Sequence, residues 1–251
     1  MSDPEIPINN SAGRLVNFLQ KARSISLANR NTGFISVVGK VIKTPSDDYH
    51  ALETVSVVFT MIRELEFDIK KLPPIKQKNY AIKIRRLKQV ISQTAISGRY
   101  SSQADLTNPE SDIFTTLGNC AYDLGLISEE RVIESEELKK LQEEFRSLYD
   151  KIDNSKINIE LKFVLLKQIN TLLEKIENYQ FLGSEAIKKE SGAIFGSIFF
   201  NQEKINKPEE INIVKELLEM VFKLSGIANN AKNLIPEDWQ NNIAKLLSPR
   251  Q

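Results

Sequence analysis

The sequence predicts an all-α fold, a multi-helix bundle of about eight to ten helices. Apolar residues recur with the helical period along almost every segment, and the strict alternation of a half-buried strand is almost absent. Proline, glycine and Ser/Asx clusters divide the chain at helix-length intervals. Apolar residues make up 41% and charged residues 27% of 251 residues, so the chain can bury a core and wholesale disorder is not expected.

Residues 1–10 are polar, contain Pro4 and Pro7, and are read as a disordered N-terminus. The first helix is expected from Ser11, a good N-cap, to about Ser24, with Leu15, Phe18, Leu19 and Ala22 as its stripe. A short second helix follows Thr32, carrying Phe34, Val37, Val38, Val41 and Ile42. Thr44-Pro45-Ser46-Asp47 breaks the chain. The third helix, about Asp48 to Leu72, places Leu52, Val55, Val58, Ile62, Leu65 and Ile69 on one side. Pro73-Pro74 stops it, and a fourth helix, about Ile75 to Ala95, is expected to bury Tyr80, Ile84, Leu87 and Ile91. The polar stretch 96–112 is read as a mobile loop. A fifth helix follows over about Ser111 to Leu124, with Phe114, Leu117 and Ala121 inward.

The second half continues in the same style without repeating the first. Ser135 to Asp153 carries Leu138, Leu141, Phe145, Leu148 and Ile152, and Asn158 to Tyr179 carries Leu161, Leu165, Ile169, Leu172 and Ile176. Gly183 is read as a C-cap and Ser184 as the next N-cap, opening a helix to about Phe200. Asn206-Lys207-Pro208-Glu209 starts another helix, to about Leu224, and Pro236-Glu237-Asp238 starts the last, to Leu247. No fixed-period repeat occurs, which argues against a solenoid. The chain is read as an N-terminal bundle, 11–127, and a C-terminal bundle, 128–251, with a soft boundary near Ile127 to Glu134, or else as one continuous domain.

Most familiar single-chain chemistry is excluded by inventory. Cys120 is the only cysteine and His50 the only histidine, so no intramolecular disulfide, structural zinc or histidine-pair scheme is available. A Cys120–His50 pair lacks any cysteine-peptidase surroundings and is read as a packing thiol and a capping-region histidine. Gly33 to Lys40 has five residues between its glycines where a phosphate loop needs four, and Val41 replaces the magnesium-binding hydroxyl. No cofactor is implied. Glu64 and Asp68 share a helix face, and Glu129, Glu130, Glu134, Glu136 and Glu137 gather around the start of one helix, where they favour its positive end. No apolar run approaches a membrane span and no signal peptide is visible, so a soluble, cytoplasmic protein is expected.

Charge segregation is the strongest local feature of a chain whose net charge is only +1. Nine basic residues and no acid lie between Lys70 and Arg99, while Asp123 to Asp150 holds nine acids and four bases. On the fourth helix Lys76, Lys83 and Arg86 flank the apolar stripe on one side, and Lys78, Arg85 and Lys88 on the other, while Ile82 points away from it. These seven residues are the candidate contact set. Three readings compete for the basic helix: a solvated face whose lysine stems cover core edges and meet the acidic segment, a surface for a protein partner or a homo-oligomer, and phosphate contact with nucleic acid or anionic lipid. A second candidate contact is the 184–200 helix, where Gly192 and Gly196 permit close approach and aromatics are dense.

The run from Leu138 through the Ser155 break, the leucine-rich Leu161 to Ile176 helix, Tyr179 and Gly183 resembles uncharacterised bacterial all-helical proteins, as does Ser11-Ala12-Gly13-Arg14-Leu15. The resemblance implies a bacterial source, and an association with conflict or phage-defence loci, but no activity and no site. The function expected is therefore that of a non-enzymatic helical interaction protein: an adaptor, regulator or subunit of a complex. The alternatives are a nucleic-acid-binding module using helix 75–95 and a carboxylate- or metal-dependent helical enzyme.

Overall fold

The computed structural model describes residues 10–29, 31–43, 51–98, 100, 104–108, 110–127 and 133–228. Ten α-helices and one 3-10 turn, with no β-strand, make up its elements among the described residues, so the fold is an all-α multi-helix bundle. His50, residues 1–9 of the expected disordered N-terminus and the expected last helix from Pro236 lie outside them, while Asn10, the last residue of that expected N-terminus, is buried and ordered as the cap of the first helix. The chain divides into two compact units, Met1–Glu130 and Arg131–Gln251.

The first unit contains α1 (Ser11–Ala28), α2 (Phe34–Ile42), α3 (Ala51–Ile69), α4 (Pro74–Ser97), the single turn α5 (Ala104–Thr107) and α6 (Asp112–Gly125). Helix α1 is central and packs against α2, α3, α5 and α6. Its first turns are accordingly buried on all sides, Ser11, Ala12, Gly13 and Arg14 included. The cap of α1 is Asn10, one residue before the Ser11 expected from sequence. Asn10 Oδ1 accepts from the Gly13 N–H at 3.0 Å, and its amide donates to the Ala121 carbonyl in α6 at 2.8 Å. The Ser11 hydroxyl is engaged elsewhere, donating to Asp68 of α3 at 2.6 Å. One capping side chain thus satisfies a helix end and also ties two helices together.

Pro74 opens α4 in its first turn, where a missing N–H costs nothing, and Gly98 ends it at φ 90°, a left-handed position that glycine takes without strain. Ile84, Leu87, Val90 and Ile91 are the buried face of α4, against α3 and α6. Tyr80, expected in the core, is only half-buried, and its hydroxyl donates to Asp123 at 2.6 Å. The stretch 96–112, read from sequence as a loop, contains the helix α5 and two fully buried residues, Tyr100 and Leu106. The Tyr100 ring stacks on Phe34 with centroids 6.0 Å apart.

The second unit is a four-helix bundle of α7 (Ser135–Asp153), α8 (Ile159–Glu177), α9 (Tyr179–Phe200) and α10 (Pro208–Ala228), with a 3-10 turn at Gln202–Lys204. Each helix packs on the next, and α10 closes against α7. Lys151 and Lys223 pair with Glu216 and Glu144 across α7 and α10, an order that makes the two helices antiparallel. Leu141, Phe145, Leu148, Ile152, Leu161, Leu165, Ile169, Leu172, Val214 and Leu217 fill the interior at helical spacing. Gly183 (φ 67°, ψ −171°) is non-helical, in a backbone region open only to glycine, and divides α9 into two helical segments at the point where the sequence reading ends one helix and starts the next.

Candidate functional site

Helix α4 carries Lys76, Lys78, Lys83, Arg85, Arg86 and Lys88 and no acid. The structure sorts these six bases into two groups. Lys76 donates to Asp123 at 2.6 Å, Lys83 pairs with Asp112, the Arg86 guanidinium embraces Asp105 with its shortest contact at 2.9 Å, and Lys88 meets Glu66 at 2.7 Å. The acids come from α3, α5 and α6. Of the expected acidic segment 123–150, Asp123 takes part in these pairs. Burial raises the pKa of Asp123, but the hydrogen bonds from Lys76 and Tyr80 outweigh it and hold the carboxyl below the usual range. Asp112 is lowered mainly by its hydrogen bond from Lys83.

Lys78 and Arg85 form the second group. Both are exposed, and neither has a carboxylate partner among the described residues. Between them sits Ile82, 59% exposed, and beyond them Ile75 at 74% and Ile96 at 87%. At the helical repeat, Ile75, Lys78, Ile82, Arg85, Gln89 and Ile96 fall within a sector of about 80°. All six are exposed, and the sector lies opposite the buried face of α4. The candidate set therefore splits. Lys78, Ile82 and Arg85 share one outward face, whereas Lys76, Lys83, Arg86 and Lys88 lie outside that sector and are held by the chain's own acids. Ile75 and Ile96 were not singled out from sequence, although the seven-residue spacing of Ile75, Ile82 and Ile96 was there to be read.

The other candidates from sequence take structural roles. Cys120 is buried, and burial, with Asp123 and Asp68 nearby, pushes its thiol up to about 12, the wrong direction for a nucleophile. Gly33 precedes α2 where a Cβ would meet the Gly98 carbonyl at 3.0 Å, and the Phe34 N–H donates to that same carbonyl. The near-miss phosphate loop is thus a backbone contact that needs glycine. Glu64 pairs with Arg14 at 3.5 Å, and Asp68 accepts from Ser11 and from Lys71. Among the described residues no three His, Cys, Asp or Glu side chains gather where they could hold a metal ion. No helix of the described residues is long and apolar enough to cross a membrane.

Gly192 and Gly196 do not serve a close helix contact. A Cβ on either would meet nothing within 4 Å, and α9 packs through Ile187, Ile194, Phe195 and Ile198 instead. At its end Phe200 is 85% exposed. Comparison with protein-family models, with curated proteins and with solved structures gave no match to this chain.

Proposed function

We propose that this chain is a non-enzymatic helical interaction protein, an adaptor, regulator or subunit of a complex, and that it binds through the outer face of α4. The observation that carries the reading is the row of three exposed isoleucines, Ile75, Ile82 and Ile96, on a helix whose opposite face is already packed. Exposed apolar residues are ordinary when scattered, but a row on one helix face is a contact surface in waiting. Covering these three side chains stabilises a complex by about 3–7 kcal/mol before the costs of association are subtracted. That suits a partner of modest affinity, strengthened by charge at Lys78 and Arg85.

The nucleic-acid reading is weaker on the same helix. Four of the six bases of α4 are engaged by carboxylates, leaving two for phosphates. Two phosphate contacts give a salt-dependence slope of only about 2, far short of a protein that holds nucleic acid by charge. The isoleucines between them supply no stacking plane.

Photo-cross-linking in the native host tests the proposal. A benzophenone amino acid at Ile82 is expected to trap a discrete protein adduct that is absent from the same probe at Gln20, an exposed position on α1. The adduct is expected to disappear when Lys78 and Arg85 are both changed to Glu. No adduct at Ile82, or the same adducts at both positions, overturns the reading.

A further inference from the structure

Resting on that reading, we propose that the partner seated on α4 is an amphipathic helix of another protein that carries carboxylates beside its apolar stripe. Two features of the face select this occupant. The first is its spacing. Ile75, Ile82, Gln89 and Ile96 succeed one another by seven residues, and Lys78 and Arg85 do so three positions later. A seven-residue seam of this kind is what a second helix follows when two helices wind around each other. From Ile75 to Ile96 it runs about 31 Å along α4, enough for almost six turns of a partner. Gln89 interrupts the apolar row, as a polar residue does where it sets the register of a helix pair.

The second feature is charge. Wherever a carboxylate is within reach, the bases of α4 take one: Lys76, Lys83, Arg86 and Lys88 all do. Lys78 and Arg85, on the seam itself, lack one among the described residues. An incoming helix with Asp or Glu along its edge completes the pattern, and one with Lys or Arg there meets like charge.

A second copy of this chain fits poorly. Two α4 faces brought together, parallel or antiparallel, oppose Lys78 and Arg85 with the same cations and supply no acid. The acidic helix α7 offers no exposed apolar row. Its exposed Glu136, Glu143 and Asp150 are interleaved with Lys139, Lys140, Arg146 and Lys151, and its apolar residues face its own bundle.

The test uses the full chain and two synthetic helical peptides of about 24 residues, matched to the length of α4. Both carry one leucine seam; one is flanked by Glu, the other by Lys. Binding is read by fluorescence anisotropy at low salt and at about 0.5 M salt, where exposed charge pairs are screened. Duplex and single-stranded DNA serve as further probes, and sedimentation velocity reports self-association. The Glu-flanked peptide is expected to bind at least about tenfold more tightly than the Lys-flanked one, with the preference fading in high salt. Lys78→Glu with Arg85→Glu is expected to reverse the preference, and Ile82→Glu to abolish binding of both peptides. All three positions are exposed, and circular dichroism checks that the variants stay folded. Equal binding of the two peptides, no binding of the Glu-flanked one, DNA binding lost in the same variants, or self-association abolished by Ile82→Glu each overturn the inference. An adduct at Ile82 together with no binding of the Glu-flanked peptide removes the acidic helix and leaves the interaction reading standing. No adduct at Ile82 removes both.

Discussion

Glu210 is the residue whose removal is expected to loosen the second unit most for a single polar change. It is only 2% exposed and lies in the first turn of α10. Its carboxylate accepts three backbone N–H groups: Asn206 and Lys207 at 2.9 Å each, just before α10, and Asn158 at 3.1 Å, the cap residue of α8. One negative charge thus serves the positive ends of two helices and joins two connections of the bundle. Burial raises the pKa of Glu210, but the three N–H donors outweigh it and hold the group below the usual carboxylate range. Hydrogen bonds to a charged group are each worth about 1.5–3 kcal/mol, but the donors sit in exposed residues that water can reach once the side chain is gone, so about 1 kcal/mol per bond is the better figure. Glu210→Ala is therefore expected to destabilise by about 3 kcal/mol, and Glu210→Gln, which keeps one carbonyl acceptor, by less. In urea followed by far-UV circular dichroism, 3 kcal/mol moves the midpoint down by about 1.5 M for an m-value near 2 kcal/mol/M. The pH sign follows from the depressed folded pKa: the contribution is fully present above the unfolded value of about 4.3 and is lost as pH falls through the lower folded value. The gap between wild type and Glu210→Gln must therefore shrink in acid. A loss below about 1 kcal/mol for Glu210→Ala, or a gap to Glu210→Gln that persists undiminished at pH ~2, refutes the argument.

Gly183→Ala is expected to cost about 1–3 kcal/mol, because a Cβ is strained at φ 67° and ψ −171°; a thermal melt equal to wild type contradicts this. Cys120, 1% exposed and with its thiol pushed up to about 12, is expected to stay unmodified by a disulfide thiol reagent at mildly alkaline pH and to react fully in urea; rapid labelling of the native protein contradicts this. Ile82→Ser is expected to leave stability within about 0.5 kcal/mol of wild type, since the side chain is 59% exposed, whereas Phe145→Ala in the second core costs about 3–5 kcal/mol. Equal losses in a urea titration of the two variants contradict the assigned burial.

Periodic apolar spacing made most helices visible in the sequence because burial of a stripe is a local pattern with a fixed repeat. Leu161, Leu165, Ile169, Leu172 and Ile176 all lie in the core of the second unit, as their spacing indicates. Punctuation was legible where the backbone demand is also local, as at Pro74 and Asn158. It failed at Ser11. The choice between Asn10 and Ser11 as cap depends on Asp68 and on the Ala121 carbonyl, both far away in sequence. Tyr100 and Leu106 went unseen because isolated anchors in a polar stretch have no period to betray them.

The basic helix shows the same division. Its six positive charges, its lack of acids and the outward position of Ile82 are properties of the local sequence, and they name a face worth suspecting. Which bases on that face are available is a different kind of fact. It depends on Asp105, Asp112, Asp123 and Glu66, which reach α4 from three other helices and are from 19 to 47 residues away along the chain. Ion pairing depends on distance in space, which periodicity does not encode. The sequence alone determined an all-α chain with a cationic fourth helix; only the packing of α3, α5 and α6 neutralised four of its charges and left Lys78 and Arg85 among three exposed isoleucines.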